Sequence, residues 1–185
     1  MQRLEIPFSH SYWVIPGKFL AGFYPGAENS EEADNKLRCL LDSGIRCIIN
    51  LMEENEVNYL GLPFISYQPA LEKIAPVTCL RFPIRDFSIP STDQMIRILD
   101  SIDEVMESGQ AVYVHCLGGI GRTGTVVGCY LQRHGLADAE NVFEKIEELR
   151  SQTPGLYIRS PETEEQRRFV VEWSLADESN RSQKH

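Results

Sequence analysis

The sequence predicts a single α/β domain, and three of its features carry that prediction. Segments that read as strand, helix and strand follow one another between residues 12 and 51, an alternation that lays helices on a sheet. Ile45 to Leu51 is nearly all apolar, as a strand covered on both faces would be. Ala111 to Val114 is another apolar, β-branched run, and it passes through a glycine-rich loop straight into a helical pattern. With 185 residues the chain can bury one sizeable core. Residues 1–173 are expected to form that domain, and 174–185, polar and short of apolar side chains, a frayed tail.

The elements follow in order. Tyr12 to Gly26 reads as two short strands around a turn at Pro16-Gly17, closing at Pro25-Gly26. Asn29 or Ser30 caps a helix that puts Ala33, Leu37, Leu40 and Leu41 on one face and ends at Gly44. After the strand Ile45 to Leu51, residues 52 to about 76 are irregular, broken by Gly61, Pro63, Pro69 and Pro76. The segment is longer than an ordinary connection. It either selects substrate or packs Leu60, Phe64 and Tyr67 as a lid against the core.

Val77 to Phe82 forms a further strand, leading into a loop, Pro83 to Pro90, bounded by proline at both ends. Ser91 and Gln94 make a capping box for a helix with the stripe Met95, Ile98, Leu99, Ile102 and Met106, closed by Gly109. The strand at 111–114 and its loop come next. Asp138 opens a helix with Val142, Ile146 and Leu149 inward, and Glu144, Glu147 and Glu148 on a solvated face. Ser160 caps the last helix with Pro161 at its first position, and the helix runs to about Trp173.

Composition narrows the function. Charged residues at 24% and hydrophobic ones at 42% are ordinary for a globular domain. A net charge of −9 disfavours nonspecific binding to nucleic acid or acidic membranes, so any attraction for a phosphate must be local. Neither a membrane span nor a secretory leader is evident, and a cytoplasmic monomer is expected. Five cysteines, at 39, 47, 79, 116 and 129, are odd in number and unpaired by spacing, suggesting neither a disulfide framework nor a metal site. Four of them are expected to be small buried apolar residues, with Cys47 or Cys129 the alternative as a resolving thiol. No cofactor is called for.

The chemistry concentrates between Val112 and Gly124. Cys116 and Arg122 stand five residues apart, enough for Leu117, Gly118, Gly119, Ile120 and Gly121 to bend around one phosphate. The glycines let backbone N–H groups converge, and the helix that follows presents its N-terminus to the same centre. A thiol held there beside an arginine is set up as a thiolate.

With His115, Cys116, Arg122 and Thr123 in that order, the segment resembles the signature of the cysteine-dependent phosphatases. The Gly-Gly pair, with one apolar residue before the last glycine, is most similar to the dual-specificity branch and its kinase-associated phosphatases. In layout the resemblance covers roughly residues 12–173. It implies a central, mostly parallel sheet of about five strands flanked by helices, with the site at the strand C-terminal ends.

The resemblance also implies roles. Cys116 is the nucleophile, and Arg122 grips the equatorial oxygens with a planar fork that lysine lacks. Thr123 donates a hydroxyl hydrogen bond to the departing thiolate, or else only caps the helix. His115 orients the loop and favours the thiolate, or is merely a packed core residue. Asp86, 30 residues before Cys116, matches the leaving-group acid by order and spacing, although Ile84-Arg85 stand where the tyrosine-specific branch has Trp-Pro. As a turn or salt-bridge residue Asp86 would need no such role. Gln166 resembles a water-positioning glutamine of tyrosine phosphatases, with an exposed helical residue the preferred alternative.

Gly119, Gly121 and Gly124 also satisfy a dinucleotide motif, but Asp138 and Glu140 open a helix where that motif wants an acid at a strand end. A nucleotide-binding loop would need glycine and lysine where Cys116 and Arg122 stand. The loop interior carries no lysine, whereas relatives that take several phosphates usually have lysines there to neutralise them, so the resemblance points to a phosphoprotein. A small phosphorylated metabolite, such as an inositol phosphate, and a phosphate-binding module without turnover are the alternatives. Arg81 and Arg85 with Arg122 could form a basic patch for the former.

Overall fold

The computed structural model describes residues 5–27, 29–58, 60–153 and 157–182, with side chains described as far as Trp173. Its centre is one five-stranded sheet in the order β1 (Ser11–Ile15), β2 (Phe19–Gly22), β5 (Ala111–His115), β3 (Ile45–Asn50), β4 (Thr78–Arg81). The β1–β2 hairpin is antiparallel, and every other pairing is parallel. The predicted α/β class and the mostly parallel sheet are therefore both present.

β5 lies between β2 and β3 and is buried along its whole length. An apolar, β-branched strand can be buried so completely only with helices over both faces. One group of packed helices is α4 (Gly121–Arg133) with α3 (Thr92–Glu107), α5 (Val142–Arg150) and α6 (Glu164–Ser182). The other is α1 (Ser30–Asp42) with α2 (Gln68–Ile74), α1 also packing on β3. The connection from β2 to β3 passes over β5, so the chain reverses its direction across the sheet beside that strand, which is where open α/β sheets form their crevice.

Local chemistry accounts for most boundaries. Asn29 Oδ1 accepts from the N–H groups of Glu31 (2.8 Å) and Glu32 (3.4 Å), capping α1. Leu37, Leu40 and Leu41 are buried as expected, and Ala33 is partly so. Ser91 Oγ accepts from Gln94 N–H at 3.2 Å, but the Gln94 amide turns away to the Pro83 carbonyl, leaving half a capping box.

Four expectations are corrected. The 52–76 segment contains α2, because Pro69 sits in the first turn, where a missing N–H costs nothing, and starts a helix rather than breaking one. Asp138 opens only a preliminary turn, its carboxylate accepting from Glu140 and Asn141, and α5 proper begins at Val142. Ser160 and Pro161 lie before the last helix; Thr163 Oγ1 accepts Gln166 N–H at 3.2 Å, and the helix starts at Glu164. That helix continues past Trp173 to Ser182, a stretch without proline or glycine to stop it. Among the described residues no helix is long and apolar enough to cross a membrane.

Candidate active site

β5 delivers His115 and Cys116 to the C-terminal edge of the sheet, and α4 begins five residues later at Gly121. Three carbonyls of this turn are tied from outside. Cys116 O meets His115 Nδ1 at 3.0 Å, Leu117 O accepts from Tyr24 N–H at 3.0 Å, and Ile120 O accepts from Ser160 Oγ at 2.7 Å. With its oxygens held outward, the backbone is left to turn N–H groups inward. No side chain caps α4, so its first amides add to the same anion site. Gly119 has φ +64°, and a Cβ there would come within 2.5 Å of the Gly22 carbonyl carbon, so neither the backbone nor the space admits another residue.

The predicted residues converge. Cys116, His115, Arg122 and Thr123 are all buried. Asp86 reaches the same centre from the loop after β4, its Oδ1 3.0 Å from Arg122 Nη2. Thr123 does not cap α4, and its buried hydroxyl has no hydrogen-bond partner among the described residues. Thr125, one turn further, is the residue that bonds back to the Gly121 carbonyl, at 2.9 Å.

Arg122 holds a second carboxylate that the sequence did not flag. Glu56, just beyond β3, faces the guanidinium with both oxygens, Oε1 on Nη1 and Oε2 on Nη2 at 3.0 Å. Nη1 also donates to the Ile84 carbonyl at 3.0 Å. Burial opposes the Arg122 cation, but Glu56, Cys116 and Asp86 outweigh it and raise its pKa above the usual arginine value. Glu56 could have been suspected from its place in a Glu-rich run after the strand next to β5, since residues leaving those strand ends share one crevice.

His115 is neutral. Burial pushes its pKa down to about 3; the hydrogen bond with Cys116 O opposes this, and Arg81 and Arg122 add to it. A carbonyl can only accept, so Nδ1 carries the proton, and Nε2 accepts from the Tyr67 hydroxyl at 2.7 Å. An uncharged ring has no positive charge to lend the thiol; it lends a fixed Cys116 carbonyl. Tyr67, in the segment expected either to select substrate or to pack as a lid, is thus another contributor, through His115.

A histidine near 3 in the fold and about 6.5 when unfolded leaves stability intact above pH 6.5 and erodes it as pH falls toward 3, by up to about 5 kcal/mol. Urea midpoints should fall between pH 7 and pH 4.5, and less steeply in His115→Gln. Equal slopes would mean that His115 is protonated in the folded protein.

The 52–76 segment divides its work. Tyr67 is buried and Phe64 half-buried, but Leu60 is 61% exposed, so the expected lid covers the core only at its C-terminal end. Beneath it Tyr24, Phe64, Tyr67, Glu53 and Arg81 line a cavity of about 300 Å³. Arg81 donates to the Met52 carbonyl at 2.9 Å, and Arg85 is exposed. Gln166, expected on the surface, is buried against the loop: a Cβ on Gly121 would lie 3.0 Å from its amide.

Residues 25–136 match the model of a family described as a polymorphic toxin system DSP-PTPase phosphatase, Tc-R-P. Two uncharacterised proteins of Methanocaldococcus jannaschii are 37% and 35% identical over 97 residues, 52% of this chain. The match spans 60% and 55% of the length of those relatives. Among solved structures, Tk-PTP in its active form superposes with a TM-score of 0.66 at 28% identity, covering 90% of this chain and 97% of that one. The kinase associated phosphatase with its catalytic cysteine replaced by serine gives 0.69 at 16% identity, covering 94% and 96%, a likeness of fold alone.

Proposed function

The chain belongs to the DSP-PTPase phosphatase family, and on that premise we propose that it hydrolyses phosphomonoesters through a phosphocysteine intermediate on Cys116, with a phosphoprotein as substrate. One observation carries the reading. A buried cysteine at the mouth of an uncapped helix shares its site with an arginine and with a carboxylate, Asp86, 3.0 Å from that arginine.

The Cys116 thiolate attacks phosphorus, forming the S–P bond as the ester O–P bond breaks. Protonated Asp86 gives its proton to the leaving oxygen. As carboxylate, Asp86 then takes a proton from water, whose oxygen attacks phosphorus; the S–P bond breaks and thiolate returns, met by the Thr123 hydroxyl. Substrate oxygens displace Asp86 from Arg122 rather than Glu56, since the Asp86 side chain is 47% exposed and the Glu56 side chain only 12%. Backbone N–H groups of residues 117–122 hold the remaining oxygens. The apolar loop interior suits a single phosphate, and the cavity under the 52–76 segment offers room for what flanks it.

A second reading has one observation behind it. Two carboxylates already occupy Arg122, which suits a phosphate-binding module of weak turnover. Hydrolysis of para-nitrophenyl phosphate from pH 5 to 8 in the presence of a chelator separates the two. The enzyme turns over without metal and is blocked by vanadate; the module binds vanadate or phosphate without turnover. Phosphotyrosine and phosphothreonine peptides, compared with inositol phosphates, then decide the substrate class.

A further inference from the structure

We propose that Gln166 is a positioning residue for the leaving-group acid, working together with Thr163 as a latch that holds the Asp86 turn against the phosphate loop. The inference rests on the reading of Asp86 as that acid.

Asp86 sits in a tight turn closed by Ser88 N–H on the Arg85 carbonyl, at 3.0 Å. Its Oδ1 accepts from Phe87 N–H at 3.0 Å. Phe87 has φ +59°, a left-handed conformation that is costly for a bulky residue and persists only where surroundings impose it. The N-terminal side of the turn is well held. Ile84 N–H donates to Leu51 O at 3.0 Å, its carbonyl accepts from Arg122, and the Gln94 amide holds Pro83 O at 2.9 Å.

The other side is held by α6. Gln166 Nε2 donates to Ser88 O at 3.1 Å, and Thr163 Oγ1 approaches Phe87 O at 3.5 Å. Gln166 Oε1 accepts from both Glu162 N–H and Thr163 N–H, each at 3.1 Å, so the amide orientation is fixed: its oxygen must face two donors and its nitrogen the Ser88 carbonyl. The same amide lies over Gly121, so one buried side chain spans the phosphate loop and the acid loop. With its oxygen fully used, this glutamine has no acceptor left to orient an attacking water. Its work is to hold the turn whose Asp86 touches Arg122.

The test is how sensitivity to the leaving group changes. Gln166→Met keeps an unbranched side chain of similar size and removes both the donor to Ser88 O and the acceptor for the Glu162 and Thr163 N–H groups. It should lose about 10- to 100-fold in kcat/KM on phenyl phosphate, the scale of a misplaced catalytic group, and less than about threefold on para-nitrophenyl phosphate, which leaves without help. Asp86→Asn, run in parallel, should show the same split more strongly.

If Gln166→Met loses equally on both esters, or on neither, while Asp86→Asn splits them, the latch is overturned and Gln166 only caps α6. If Asp86→Asn shows no split, the acid reading fails and the latch falls with it. Should Gln166→Met not melt cooperatively, Thr163→Asp is judged by the same criterion. It keeps a helix-capping acceptor for Gln166 N–H, removes the hydroxyl donor to Phe87 O, and changes a half-buried position.

Discussion

Cys116→Ser will abolish phosphomonoester hydrolysis, with turnover falling on the order of 10⁴-fold or more, while inorganic phosphate continues to bind. On the proposed phosphocysteine route, the size of the loss follows from removing a nucleophile that must be ionised to act. A serine hydroxyl, with no base beside it, stays protonated, and neutral His115 has its acceptor nitrogen committed to Tyr67. Binding survives because the anion site is made of backbone and Arg122. The carbonyls of Cys116, Leu117 and Ile120 are tied by groups that the substitution leaves in place. Calorimetric titration with phosphate should therefore give an affinity within about threefold of the parent, because binding a ground-state anion does not use the nucleophile. Retained turnover in the serine variant would remove the phosphocysteine route.

How much of this was legible depended on how far apart the interacting residues stand in the chain. The strand, loop and helix from Ala111 to Arg133 form one continuous stretch, so hydrophobic period and glycine placement locate the loop directly. The helix at 92–107 was equally plain from its stripe. Glu56 meets Arg122 across 66 residues, Tyr67 meets His115 across 48, and Gln166 meets Ser88 across 78. Nothing local distinguishes Glu56 from an acidic loop residue or Tyr67 from a packed aromatic, and Gln166 is marked only by the resemblance. Asp86 is legible only through the resemblance, whose acid has the same order and similar spacing relative to its cysteine. Where local signals misled, one residue type had two uses: Pro69 begins a helix, and Ser160 ties down the phosphate loop instead of capping the next helix.

Arg122→Lys should be nearly as damaging as loss of the cysteine, with kcat/KM reduced about 10³-fold and the fold weakened as well. The substitution preserves charge, so it separates the fork from the Coulombic attraction. Arg122 uses two nitrogens on three partners, Glu56, Asp86 and the Ile84 carbonyl. A lysine has one nitrogen, strongly hydrated, and cannot face both Glu56 oxygens while donating to Ile84. Glu56 would then be left in the crevice with a partial partner. Breaking such a buried pair outright costs about 3–5 kcal/mol, and the lysine, still charged, should hold the loss to about half of that. In the transition state the fork must also follow oxygens that flatten around phosphorus, which a point charge does less well. The rate loss should therefore appear mainly in kcat on para-nitrophenyl phosphate, accompanied by a lower urea midpoint. If Arg122→Lys keeps its midpoint and loses less than about tenfold in rate, the site needs only a positive charge, and the bidentate pairing with Glu56 has no bearing on catalysis.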